Sequence, residues 1–128
     1  MRRGVLLFAH GARDPNWALP FRAVAERVRA RDADLVVQLA FLEFMTPTLS
    51  EAGTALAQAG CAQVDVVPLF LGAGGHVRKD LPDLLAALRA ACPGTEWRLR
   101  RAIGEIDSVI DAMAAAAHHL TNETAPPS

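Results

Sequence analysis

Residues 5–11 read VLLFAHG, and this stretch decides the fold. Its five apolar residues follow one another without alternation, which is typical of a strand covered on both faces of a parallel sheet. His10 and Gly11 come where such a strand ends and the chain turns toward a helix. In open α/β sheets this edge faces the ligand crevice. The stretch therefore predicts an α/β fold with His10 at the ligand-binding edge.

Three further apolar runs and four segments with helical periodicity extend the pattern. The runs lie at 35–41, 64–71 and 97–101, and the helical segments at 17–31, 47–59, 81–91 and 106–120. This regular alternation of strand and helix favours a parallel sheet with right-handed crossovers. We predict an open four-stranded parallel sheet with helices on both faces, in which the first strand lies between the second and the third as in flavodoxin-like folds.

Local signals mark where two of the helices start. Thr46 before Pro47 fits an N-cap followed by a first-turn proline, whereas Thr48 also fits the spacing of a capping box, so both starts of the second helix remain open. Asp80 and Pro82 are assigned to the start of the third helix rather than to substrate contact.

Length and charge limit the classes of function. The chain has 128 residues, so we expect one domain over 1–120 and a disordered tail over 121–128. The net charge of −1 gives no overall field for nucleic acid. No apolar run reaches the roughly 18 residues of a membrane span, and no signal sequence is recognisable. A cytoplasmic protein without membrane or nucleic-acid partners is expected, with Cys61 and Cys92 as packing residues because they form no C-x-x-C pair.

Polar residues also follow the second and third predicted strands. Glu43 comes shortly after the second run, and His76 comes after the third run and a glycine-rich turn. If the first strand lies between the other two, then His10, Glu43 and His76 converge on one mouth of the sheet. Two imidazoles and a carboxylate suit a borderline divalent metal such as Co, Fe, Ni or Zn.

Three segments carry a family resemblance: LLFAHGARDPNWALPF, LAFLEFMTPTL and VVPLFLGAGGHVRKDLP. They resemble the small sirohydrochlorin chelatases, the short CbiX-type cobaltochelatases and the related ferrochelatase of sirohaem synthesis, from about Arg3 to Ile110. The resemblance implies a half-domain of the chelatase fold. It also implies ATP-independent insertion of Co²⁺ or Fe²⁺ into sirohydrochlorin, in cobalamin or sirohaem biosynthesis, with the metal as a substrate and no permanently bound cofactor.

The resemblance assigns roles to the same residues. His10 and His76 take the places of the family's metal-handling histidines, and Glu43 takes that of their acidic partner. Longer relatives contain two such domains, so the family pattern implies a homodimer for this chain. Some relatives carry a histidine-rich insertion that this sequence lacks, which leaves nickel open.

The chemistry of the three residues leaves their individual roles open. A neutral histidine can ligate the metal or take a pyrrole proton, since its unperturbed pKa lies near roughly 6.5. Glu43 could lower the charge of the incoming dication, orient an imidazole or accept a proton. The structural alternative for Glu43 is that it complements the dipole of the helix that follows.

Sirohydrochlorin carries eight carboxylates, so its binding site should present cations and backbone N–H groups. The substrate-binding candidates lie close to the two histidines and are Arg13, Gly74, Gly75, Arg78 and Lys79. For Arg13 the structural alternative is a pair with Asp14, and for Arg78 and Lys79 it is a solvated helix start.

Two other functions use part of the same pattern. Histidine phosphatases also have a His-Gly pair and an arginine after a first strand, but an arginine precedes their histidine where this chain has Ala9. A carrier module that holds a metal or a tetrapyrrole without catalysing insertion would use the same three residues. Only turnover separates the carrier from the chelatase.

Overall fold

The computed structural model describes residues 2–72 and 74–124, and for residues 75–78 the main chain alone. The strands are β1 (Arg2–Ala9), β2 (Leu35–Phe41), β3 (Cys61–Pro68) and β4 (Glu96–Leu99). The helices are α1 (Leu19–Arg31), α2 (Leu49–Gln58), α3 (Gly75–Ala91) and α4 (Asp107–Leu120), with 3-10 turns at Pro15–Ala18 and Ile103–Glu105. The predicted alternation of strand and helix is therefore confirmed. Residues 125–128 of the predicted tail lie outside the described residues.

The four strands form one parallel sheet in the order β2-β1-β3-β4. The central position of β1 is confirmed. Phe8 of β1 is level with Ala40 of β2 and with Pro68 of β3. The carboxyl ends of these three strands therefore lie side by side, at one edge of the sheet.

Successive side chains of β1 enter two separate cores, as the pleat of a strand requires. Leu6 and Phe8 are fully buried among the residues that α2 and α3 contribute, such as Leu56 and Leu85. Val5, Leu7 and Ala9 pack with β2 and α1 on the opposite face. Each fully buried leucine or phenylalanine contributes about 1.5–3 kcal/mol to folding. The prediction of helices on both faces is thus confirmed.

Helix α4 differs from the other helices because none of its residues is buried. Its apolar side chains Ile110, Met113 and Leu120 are 45%, 40% and 62% exposed. Their spacing of three and seven residues places them on one side of the helix, and we call them the α4 stripe. A helix of this length is marginal in water without tertiary packing. Within the described chain, the α4 stripe lacks the cover that an apolar helix face normally has.

The prediction for the start of the third helix was wrong. Helix α3 begins at Gly75 instead of about Leu81, so Asp80 and Pro82 lie inside the helix and not at its start. Proline removes one helical hydrogen bond, which is why it suggested a boundary. Leu81 and Leu85 are 5% and 1% exposed, and this burial holds the helix together across the proline.

The start of α2 is the capping box, and the alternative start at Thr46 was wrong. The Thr48 hydroxyl accepts a hydrogen bond from the Glu51 N–H at 3.2 Å, while the Glu51 carboxylate accepts one from the Thr48 N–H at 2.9 Å. This reciprocal pair satisfies two of the N–H groups that a helix start leaves open. It places the N-cap Thr48 seven residues after Phe41, the last residue of β2, and so fixes the length of the turn between them.

In the described part of the chain, none of the helices has both the length and the apolar character of a membrane span.

Candidate functional site

His10 leaves β1 at the carboxyl edge of the sheet, where it is exposed. Its imidazole packs on the ring of Phe70, with ring centroids 4.4 Å apart and planes inclined by 40°. Phe70 is itself only 3% exposed and contacts Phe8 of the core, with centroids 5.9 Å apart. The imidazole is thus supported by the core on one side while it remains accessible to a ligand.

The turn after β2 is held against the turn after β1 by the main chain. The Leu42 N–H donates to the Ala9 carbonyl at 2.9 Å, and the Glu43 N–H donates to the His10 carbonyl at 3.0 Å. Glu43 is exposed. Two of the three predicted site residues, His10 and Glu43, are therefore brought together through adjoining backbone segments.

Gly11 makes this close approach possible. Its φ is +93°, and a Cβ at this position would lie 1.9 Å from the Glu43 carbonyl oxygen. A side chain is therefore excluded by both the backbone conformation and the neighbouring turn. Sequence reasoning did not single out this role of Gly11, because the contact is tertiary and only the His-Gly pair is visible in the sequence.

Arg13 and Phe44 form a cation–π contact across the two turns. The Arg13 Cζ lies 4.8 Å from the centroid of the Phe44 ring. Asp14, which the structural alternative would pair with Arg13, instead caps the following 3-10 turn by accepting the Asn16 N–H at 2.9 Å. Arg13 therefore contacts the turn that carries Glu43, and its role in substrate binding stays a prediction.

The start of α3 forms the third side of the candidate site, and for residues 75–78 only the main chain is described. His76 lies in the first turn of α3, after Gly74 as N-cap and Gly75 as first helical residue. The side chains of His76 and Arg78 lie outside the described residues, so their predicted approach to His10 and Glu43 stays a prediction. Lys79 is exposed on the same helix. Among the side chains described, no three His, Cys, Asp or Glu residues are close enough together to hold a metal ion.

The 3-10 turn after β4 contacts Phe70 and Leu71, which lie between β3 and α3. The Gly104 N–H donates to the Phe70 carbonyl at 2.9 Å, and a Cβ on Gly104 would lie 1.9 Å from the Leu71 carbonyl oxygen. This contact is tertiary, so the sequence around Gly104 does not reveal its partner. Its contacts place the backbone of Phe70, and with it the ring that supports His10.

An ion-pair cluster on β3 lies away from this edge. Asp65 accepts hydrogen bonds from Arg98 at 2.9 and 3.2 Å and from Arg100 at 2.9 Å. Burial alone would raise the pKa of Asp65, but the hydrogen bonds and charges of Arg98 and Arg100 outweigh it and lower the pKa below its ordinary value. This ion-pair cluster joins β3 to the strand beside it and is a structural feature.

A cavity of about 520 Å³ lies at the amino end of β3, and Cys61 and Cys92 are among the residues that line it. Burial raises the pKa of the Cys61 thiol, so this side chain has little thiolate character. The Cys61 side chain is buried and Cys92 is half-buried, and both are free thiols.

Comparison with known proteins identifies the family. A model of the CbiX family matches residues 4–120. The chain belongs to the CbiX family. This CbiX chain is 33% identical over 89 residues to a sirohydrochlorin cobaltochelatase of Methanosarcina acetivorans, an alignment that covers 70% of the chain and 68% of the relative.

Solved structures of CbiX and SirB chelatases share the fold. The crystal structure of a CbiX protein from Marinobacter aquaeolei matches with a TM-score of 0.83 and 30% identity, over 95% of this CbiX chain and 99% of that one. The sirohydrochlorin chelatase SirB from Bacillus subtilis subspecies spizizenii, in complex with cobalt, matches with a TM-score of 0.81 and 25% identity. That match covers 93% of this CbiX chain but 51% of SirB. The CbiX chain therefore spans about half the length of SirB.

Proposed function

We propose that this CbiX chain is a sirohydrochlorin chelatase, a lyase that inserts a divalent metal into sirohydrochlorin without ATP. The observation that carries the proposal is the backbone hydrogen bond that joins the turns of His10 and Glu43 at the carboxyl edge, where the exposed imidazole packs on Phe70. The relative from Methanosarcina acetivorans bears the name of this activity. Cobalt is the metal we favour, since that relative is a cobaltochelatase. The SirB structures do not choose between the metals, because one holds cobalt and another holds Fe³⁺. Iron is the alternative, and the choice decides between cobalamin and sirohaem biosynthesis.

The reaction exchanges one metal dication for the two protons of the pyrrole N–H groups, and the metal is a substrate. A neutral His10 can offer its free ring nitrogen to the metal or accept one of those protons. Glu43 lies on the adjoining turn, where its carboxylate offsets the charge of the dication or takes the second proton. His76 is proposed as a further ligand, because α3 follows β3 in the chain and the carboxyl end of β3 lies beside that of β1. The proposal requires no permanently bound cofactor.

The same edge offers groups for the substrate's carboxylates. Arg13 and Lys79 are both exposed there, and the start of α3 presents the positive end of its helix dipole. A Cβ on Gly74 would meet no described protein atom within 4 Å, so the space beside Gly74 is open. We propose that the flat macrocycle enters this space. We propose that Arg13, Gly74 and Lys79, together with Gly75 and Arg78, bind the tetrapyrrole.

Turnover tests the proposed function. Purified protein with sirohydrochlorin and Co²⁺ or Fe²⁺ should accelerate the absorbance change of metal insertion above the spontaneous rate. Comparison of the two metals at equal free concentration would choose between them. Tight binding of sirohydrochlorin without any acceleration, for either metal, would contradict the chelatase proposal and support the carrier module.

We also propose that the working unit is a homodimer in which α4 contacts the second copy. Two observations support it: the α4 stripe lacks cover within the described chain, and the chain spans half the length of SirB. A second copy would supply the other half of a cleft for a wide macrocycle.

Light scattering measures this association directly. The wild-type chain should have the mass of two copies, and Met113→Asp should have the mass of one because it places a charge in the stripe. Leu19→Asp is the matched control, since Leu19 is 59% exposed on α1 and outside the stripe. An active wild-type monomer would contradict the homodimer.

A further inference from the structure

The turn after β2 holds an exposed aromatic ring in an unusual backbone conformation. Phe44 has a φ of +65°, in the left-handed region that bulky residues rarely adopt. Its side chain is 58% exposed, so burial in the core does not account for a phenylalanine at this position. Glycine or asparagine would fit the backbone better. The strain and the exposure together point to a contact outside the fold itself.

The position of the ring is set by the candidate site. Phe44 directly follows Glu43, whose N–H is held by the His10 carbonyl. The Arg13 guanidinium lies 4.8 Å from the ring centroid, within the range of about 6 Å for a cation–π contact. The Phe44 ring and the Arg13 guanidinium thus contact each other at the rim of the candidate site. They lie on the two turns that carry His10 and Glu43, the residues to which we assign metal binding and proton transfer.

We infer that Phe44 and Arg13 form a platform on which the tetrapyrrole lies, an inference that rests on the proposed function. The Phe44 ring offers a flat apolar face to the conjugated macrocycle. Arg13 offers a planar guanidinium that binds a carboxylate at the edge of that macrocycle through two hydrogen bonds while it stays against the ring. A macrocycle bound in this way has its edge fixed beside His10 and Glu43.

Trp17, a second candidate for stacking near this edge, is already packed against the protein. Trp17 is half-buried and packs on Phe21, with ring centroids 4.5 Å apart, in the core under α1. Its surface is therefore taken up by packing. The Phe44 side chain, by contrast, is 58% exposed, so the larger part of its surface is open to a ligand.

The variant Phe44→Gly separates substrate binding from folding. Glycine removes the ring and also relieves the positive φ, so the melting temperature should not fall. Titration of metal-free sirohydrochlorin should show about tenfold weaker binding, the size of a lost aromatic stacking contact. In turnover, KM for sirohydrochlorin should rise by a similar factor, while KM for Co²⁺ stays unchanged. Phe44→Tyr keeps the ring and should restore wild-type binding.

A matched control is the second cation–π pair, in which Arg22 lies 5.7 Å from the centroid of the buried Phe41 ring. Arg22→Leu removes a guanidinium from a ring outside the site, so sirohydrochlorin binding should not change. Wild-type affinity in Phe44→Gly would overturn the platform even if the wild-type protein turns over. Weakened binding in Phe44→Gly, with no turnover by the wild-type protein, would support the platform and refute the proposed chelatase.

Discussion

The two ends of the sheet differ in what they offer a ligand. At the amino end a cavity of about 520 Å³ is lined by small side chains and two thiols. At the carboxyl end, Leu42 and Asp80 line a cavity of about 290 Å³, and His10 and Glu43 stand beside each other on adjoining turns. The larger of these two cavities thus lies at the end opposite to His10 and Glu43. We therefore place the candidate site by the chemistry at the strand ends and not by cavity volume.

The largest expected difference between the two ends is in turnover. His10→Ala should lower the rate of metal insertion at least about 100-fold, because it removes a metal ligand or proton acceptor, without lowering the melting temperature of this exposed position. Cys61→Ala, at the amino end, should retain the wild-type rate and lose about 1–2 kcal/mol of stability from the buried cavity it leaves. Steady-state rates and thermal unfolding of both variants check this. Full turnover in His10→Ala would mean that the site lies elsewhere.

Glycines at the two ends provide a second contrast. Gly11→Ala should cost about 2–4 kcal/mol, because its Cβ would collide with the Glu43 carbonyl and its φ is +93°. Gly60 also has a positive φ, +87°, but no protein atom lies within 4 Å of its would-be Cβ, so Gly60→Ala should cost only about 1–2 kcal/mol. Urea unfolding measures both values. Turnover should fall in Gly11→Ala alone, and equal losses in the two variants would contradict the role given to the Gly11 contact.

The smallest effect is expected at Asp65, which lies between the two ends. Its pKa is lower in the folded state than in the unfolded chain, so its contribution to stability is present at neutral pH. That contribution should disappear as the pH falls below about 4 and through the folded-state pKa. Asp65→Asn should cost about 1 kcal/mol at pH 7, because Arg98 and Arg100 are partly exposed, and should flatten the fall in stability with acid. A change in turnover would contradict a purely structural cluster.

The continuous apolar runs predicted a parallel sheet because they are typical of strands covered on both faces, and the central place of the first strand was taken from flavodoxin-like folds. The runs that end at Ala9 and Phe41 have the boundaries expected of doubly covered strands, and their neighbours in the sheet follow from the alternation with helices. The start of α3 was missed because Pro82 is a local signal, whereas the burial of Leu81 and Leu85 is tertiary.

The candidate site was predictable to the same extent. His10 and Glu43 were found because strand ends at one edge must be neighbours in a parallel sheet. The support of His10 by Phe70, the contact of Gly11 and the pairing of Arg13 with Phe44 depend on backbone angles and on distances between separate turns. Backbone angles and distances between separate turns produce no pattern of apolar and polar residues, so the sequence did not predict these contacts.

The Phe70 ring beneath His10 also has a spectroscopic consequence. The centroids of the His10 and Phe70 rings are 4.4 Å apart, so the ring current of Phe70 acts on the imidazole protons. The imidazole resonances of His10 should therefore be displaced from those of His118 and His119, which are exposed on α4. This displacement gives the site its own signal in a proton spectrum. Titration with acid or with a diamagnetic divalent ion could then be followed at His10 without a label.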